Sequence, residues 1–200
     1  MTQDNNQLPI ERHPWKPFLP EGMRVLMLGT FPPGPHRWSM NFYYPNCTND
    51  FWKIAGLIFA GDSNAYVDST HRSFHLDAIK QMLTAKGIGL ADTGVAVRRL
   101  KGNASDKFLD IVEVLDVDAI IRSHPTLTAI GAAGEKASQT LAEITGTTVP
   151  RNGEYTLYRT PQGREIQLWR LPSSSRAYPL PLEQKAEYYR KFYTSAGISL

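Results

Sequence analysis

Residues 24–34 read RVLMLGTFPPG. The apolar run Val25 to Leu28 is stopped by Gly29 and then by Pro32-Pro33. A short apolar run punctuated in this way predicts a buried strand that ends in a turn. Just beyond it, residues 42–52 read FYYPNCTNDFW, with two tyrosines, two asparagines and a Phe-Trp pair. So many flat faces and carboxamides beside a strand end have two readings. One is a hydrophobic staple on a capped helix. The other is a pocket for a planar ligand such as a nucleobase.

Outward from this point, strand and helix patterns alternate. DFWKIAGLIFA (50–60) is helical, with Asn49 at its natural N-cap position. FHLDAIKQMLTAKG (74–87) is an amphipathic helix with a glycine stop, and the strand IGLAD follows. VDAIIRSHP (117–125) is a helix ending before its proline, LTAIG a strand, and EKASQTLAEITG (135–146) a helix closed by glycine. YTLYRT and EIQLWRLP, separated by PQGR, are a strand pair joined by a turn or two late strands, and LEQKAEYYRKFYTSAG (182–197) is the last helix. Such alternation predicts an α/β fold: a three-layer sandwich around a central, mostly parallel sheet. One domain is expected over residues 1–200. Residues 1–22 would form an N-terminal arm held by Trp15 and Phe18.

Composition narrows the classes. A hydrophobic share of 42 % and a charged share of 20 % suit a soluble globular chain. No apolar run approaches the ~20 residues of a membrane helix. The formal net charge of +3 permits a polyanionic partner without requiring one. Cys47 is the only cysteine, so an intramolecular disulfide and four-cysteine metal sites are excluded, and a reducing cytoplasm is expected.

In sheets of this kind ligands sit beyond the carboxyl ends of the strands. The loops GTFPPG, AAGEK and LPSSSRA occupy that place. None carries a phosphate-loop or dinucleotide fingerprint, and the G-x-S-x-G elbow and HExxH are absent from the chain. His71 and His75 stand four apart without a metal motif, so no metal site is expected. LPSSSRA (171–177) offers hydroxyls and a guanidinium, either as a solvated turn or as a grip on phosphate. Arg98, Arg99 and Lys101 are either a solvated cluster or a phosphate contact.

Taken together, these loops resemble the uracil-DNA glycosylase superfamily, and its hypoxanthine-DNA glycosylase branch most of all. The carriers are the G-x-x-P turn, Tyr43-Tyr44 followed after four residues by Asn49-Asp50-Phe51-Trp52, and the late LPSSSRA loop. The resemblance spans roughly Val25 to Ala177. It implies a glycosylase of base excision repair that acts on DNA containing a damaged base, hypoxanthine or uracil, without cofactor. A base flipped from the duplex would stack on Phe31, Tyr43 or Tyr44 in a pocket completed by Gly29 and Pro32. Ser173, Ser174, Ser175 and Arg176 would hold the DNA backbone. Asn49 would position the attacking water, unless it serves only as the helix cap. Asp92, at the end of IGLAD, is a second candidate, with closure of a turn as its other role.

Some positions depart from the better-known branches. Phe31 stands where they place a water-positioning Asp or Asn, as in the hypoxanthine branch. Ala132-Ala133-Gly134 lacks their base-reading carboxamide, and Leu171 replaces a histidine. A non-catalytic binder of damaged or single-stranded DNA, and an enzyme acting on a free nucleobase or nucleoside, are the alternatives. The protein is expected to be a monomer with no membrane partner.

Overall fold

The structure is a computed structural model, and it describes residues 8–101 and 106–200. The first seven residues of the arm therefore lie outside the described residues. A five-stranded sheet forms the centre. Its strands are β2 (Val25–Gly29), β5 (Ile88–Asp92), β8 (Ala129–Ala133), β9 (Tyr155–Arg159) and β10 (Glu165–Leu171), in the order β5-β2-β8-β10-β9. Four of them run parallel, and only the edge strand β9 is antiparallel. β2 and β8 are buried along their whole length, which is why RVLMLG and LTAIG read as continuous apolar runs rather than alternations.

Alternate residues of β2 serve opposite faces. Val25 and Met27 pack with α1 (Phe51–Phe59), α2 (Leu76–Lys86) and α5 (Leu182–Ser195). Leu26 and Leu28 pack with α3 (Val117–Ser123) and α4 (Glu135–Thr145). The loop leaving β2 thus runs to α1 on one face, and the loop leaving β8 to α4 on the other. A crevice is expected between such divergent loops.

The sequence did not disclose a second sheet, β1-β6-β7, built from β1 (Ile10–Arg12), β6 (Gly94–Arg99) and β7 (Leu109–Val114). Its middle strand continues from β5 through the corner Asp92-Thr93-Gly94. β1 pairs with it antiparallel, Glu11 opposite Val97. The arm is therefore a sheet strand followed by a strap, anchored where Phe18 and Leu90 exchange backbone hydrogen bonds of 2.9 and 2.8 Å. Arg98 and Arg99, read as solvated or phosphate-binding, are paired within this sheet. Arg98 contacts Asp110, and Arg99 donates to Glu11 and to the Pro32 carbonyl. A short hairpin, β3 (Val67–Asp68) with β4 (Ser73–Phe74), precedes α2. Among the described residues no helix is long and apolar enough to cross a membrane.

Candidate active site

The sequence FYYPNCTNDFW folds into a bent segment that feeds α1. Trp52 is fully buried and donates from Nε1 to the Tyr43 carbonyl at 3.1 Å. The helix starts at Phe51 with Asp50, not Asn49, as its N-cap; Asn49, one residue earlier, accepts from the Phe51 N–H on Oδ1 at 2.9 Å and so still satisfies one of the free amides at the helix start. The structure brings this segment against the serine loop: Asn49 bridges Ser175, and the Asp50 N–H donates to the Ser174 carbonyl at 2.9 Å.

A buried cation ties the two together. Lys185 of α5 is 1 % exposed and donates from Nζ to Asp50 Oδ2 at 3.0 Å and to the Ser175 carbonyl at 2.8 Å. Arg176 reaches the other Asp50 oxygen at 3.5 Å and the Cys47 carbonyl at 3.3 Å. Arg176 is thus partly committed to holding the loop. Its side chain is still 54 % exposed. Removing one member of a buried pair strands the other charge. Asp50→Ala is expected to destabilise the fold by about 3–5 kcal/mol, read as a fall in the urea midpoint. An unchanged midpoint would show that Lys185 finds other partners.

The second cluster surrounds Asp92. It lies opposite Gly29 in the β2–β5 register, at the carboxyl end of both strands. A Cβ on Gly29 would overlap Asp92 Oδ1 and lie 3.3 Å from Tyr44 Oη, so both oxygens pack close to Gly29. The Tyr44 hydroxyl is buried and has no hydrogen-bond partner among the described residues. Tyr44 also adopts a left-handed backbone, φ 51°, which costs free energy for a bulky side chain, while its ring lies flat on Phe51 at 3.7 Å. Burial raises its pKa well above the usual tyrosine value, and the Asp92 charge adds to the rise, so the hydroxyl keeps its proton.

Sequence reading missed His13. The arm places its ring beside Asp92, with Nε2 donating to Oδ2 at 2.9 Å, and each side chain is only 8 % exposed. The ring meets Phe31 edge-on at 5.4 Å and stacks on Tyr43 at 5.5 Å. Tyr43 is buried and donates to the Lys16 carbonyl, and Pro32 is buried in the turn. Phe31, Tyr43, Tyr44 and Gly29 therefore do converge on one place, which Asp92 shares. No local sequence signal links His13 to Asp92, 79 residues away.

Asp106, also unremarked in the sequence, is a further acid of this region. Burial raises its pKa from 3.8 to about 6, with the Thr30 hydroxyl opposing most, Asp92's charge adding, and Arg99 and Lys136 also opposing. A raised carboxyl contributes stability below its unfolded pKa and loses it as pH rises through the folded one. Asp106→Asn is therefore expected to be more stable than wild type at pH 8 by about 2 kcal/mol, and about equal near pH 4, by urea denaturation. Equal stability at both would mean that Asp106 is solvated.

Ser173 packs against Gly134, whose φ of 99° brings the β8 loop close to the serine loop. The Ser173 hydroxyl accepts from the Ser175 N–H at 3.2 Å. An open groove lined by Glu21, Arg24, Lys86 and Ser199 lies at the opposite, amino end of β2 and β5. Among the described residues no group of His, Cys, Asp or Glu is placed to hold a metal ion.

The architecture has a solved counterpart. A solution NMR structure of a protein from Methanosarcina acetivorans, provisionally named a uracil DNA glycosylase, superposes with a TM-score of 0.63 at 21 % identity, covering 94 % of this chain and 99 % of that one. The two chains share a fold. No protein-family model and no curated protein matches the sequence.

Proposed function

We propose that the protein is a monofunctional DNA glycosylase of base excision repair. It would be one domain of the three-layer uracil-DNA glycosylase type, acting as a cytoplasmic monomer on a deaminated base, hypoxanthine or uracil. The observation that carries this reading is the Asp92 carboxylate, at the strand ends beside Gly29, Tyr44 and the His13 ring that Phe31 and Tyr43 flank, in a fold shared with a protein named for that activity. Aromatic walls suit a flipped base, and a low-exposure carboxylate suits water at the sugar.

In the reaction, the water oxygen bonds to C1′ while the C1′–N bond breaks and its electron pair leaves with the base. The proton shed by water passes to Asp92 and on to solvent, and the base takes up a proton of its own. The products are an abasic sugar and the free base. Asp92 also faces the positive charge that develops on the sugar. Asn49 Oδ1 accepts from Phe51 and keeps a second lone pair, so capping does not exclude it; we assign the water to Asp92 because it lies beside Tyr44 and His13. Ser173, Ser175 and Arg176 would grip the phosphates through hydroxyls and the exposed part of the guanidinium, whereas Ser174, only 3 % exposed, lies inside the loop and is withdrawn from that role.

The test incubates the protein with oligonucleotides containing uracil, hypoxanthine or xanthine, single-stranded and paired, and reveals abasic sites with alkali. Release of one base supports the glycosylase. A second reading, a DNA binder without turnover, is favoured by the occupied ring faces: His13 stacks on Tyr43, and Phe51 covers Tyr44. Salt-sensitive DNA binding with no release of any base would establish it in place of the first.

A further inference from the structure

We propose that His13, delivered by the N-terminal arm, is a positioning residue for the hydrolysis. It pins one oxygen of Asp92 so that the other oxygen and the Tyr44 hydroxyl hold the attacking water above Gly29. The inference rests on the glycosylase reading above.

Its placement is built in layers. β1 zips onto β6, and the His13 N–H donates to the Val95 carbonyl at 2.8 Å, which fixes the backbone at the ring. The Trp15 backbone then brackets Nδ1, with its carbonyl at 2.7 Å and its N–H at 3.2 Å. Trp15 is itself held by an Nε1–H bond to Asn41 Oδ1 at 2.6 Å and by Trp38 at a centroid distance of 4.8 Å. Phe31 and Tyr43 confine the ring edge and face. Only Nε2 is left to act, and it meets Asp92 Oδ2.

A lone carboxylate rotates about its last bond and presents either oxygen. With Oδ2 engaged by His13, Oδ1 is the oxygen turned toward Gly29 and Tyr44. Tyr44 keeps its proton and has no partner among the described residues, although it is buried and its backbone is strained. A water admitted beside Gly29 when substrate binds would meet the unpaired hydroxyl as donor on one side and the carboxylate oxygen as base on the other. The water's oxygen would bond to C1′, the glycosidic pair would leave with the base, and Oδ1 would take the water's proton. His13 exchanges nothing in this step. It sets the angle from which Oδ1 acts, and such orientation governs rate more than affinity.

The experiment compares His13→Leu and His13→Gln with wild type by single-turnover base release from saturated uracil- and hypoxanthine-containing oligonucleotides, with DNA affinity and thermal midpoint measured in parallel. Leucine fills the space without a donor, whereas the glutamine amide nitrogen reaches the place of Nε2. His13→Leu is expected to slow release by about 100-fold with affinity unchanged, and His13→Gln to recover most of it. A His13→Leu rate equal to wild type overturns the proposal, as does a His13→Gln that is folded and as slow as His13→Leu. If His13→Leu does not fold, His13→Asn replaces it, since its amide stops at the position of Nδ1. A faster His13→Gln than His13→Asn then supports the proposal, and equal rates overturn it. A wild type that releases no base overturns the glycosylase reading and this one with it. Release by wild type that is indifferent to residue 13 overturns this one alone.

Discussion

Asp92→Asn is expected to slow base release by about 10²–10⁴-fold while DNA binding persists. The substitution keeps the shape of the side chain and an oxygen for His13 Nε2–H. In the proposed mechanism it removes the negative charge that would receive the water's proton and face the developing charge on the sugar. Since neither role operates in the ground state, the loss should fall on the rate of the bound complex. Asn49→Ala is the control. Its carboxamide oxygen accepts from the Phe51 N–H, so about 1 kcal/mol of stability and a modest part of the rate are at stake. The reverse outcome, a fast Asp92→Asn and an inactive Asn49→Ala, would return the water to Asn49.

Gly29→Ala is expected to lower the same rate by about 100-fold or more. The added methyl lies beside Tyr44 Oη and overlaps the carboxylate oxygen Asp92 Oδ1. Asp92 must then turn away, against its bond to His13, or the water must leave. The fold should survive with a penalty of about 1–3 kcal/mol, because the nearest obstacles are side-chain atoms rather than backbone. Measuring rate and thermal midpoint together separates the two effects. A folded Gly29→Ala at the wild-type rate would mean that the water sits elsewhere.

Much of the central sheet was legible because its strands are buried on both faces. RVLMLG and IGLAD show apolar runs that end where the chain turns, whereas the strand expected as LTAIG starts later and runs past Gly131 to Ala133, so Ala132 and Ala133 are strand and not loop. The helices were legible from their spacing and their stops, as at Gly87 and Gly146, both in the left-handed conformation. The second sheet was hidden because its strands are half-exposed and rich in charge: GVAVRR and LDIVEV alternate weakly, and IER is too short to register. Of the candidate site, Gly29, Phe31, Tyr43, Tyr44 and Asp92 were named through the family resemblance, Gly29 and Asp92 lying at strand ends. His13 and Asp106 were not, because what recruits them is a docked arm and a loop contact, neither of which leaves a periodic trace. The basic pair Arg98 and Arg99 misled for the same reason: carboxylates distant in sequence, such as Glu11, neutralise it.

The anchoring of β1 on β6 has a practical consequence for anyone shortening the chain. A version begun at Trp15 would keep every residue of the turn, the aromatic segment and the serine loop, and would lose only the first strand and one imidazole. By the placement of His13 it should still engage DNA and yet release almost nothing. If the glycosylase reading holds, trimming the polar, Pro-rich arm as dispensable would leave what looks like a repair-inert binding protein, and an assay on that version would answer the wrong question.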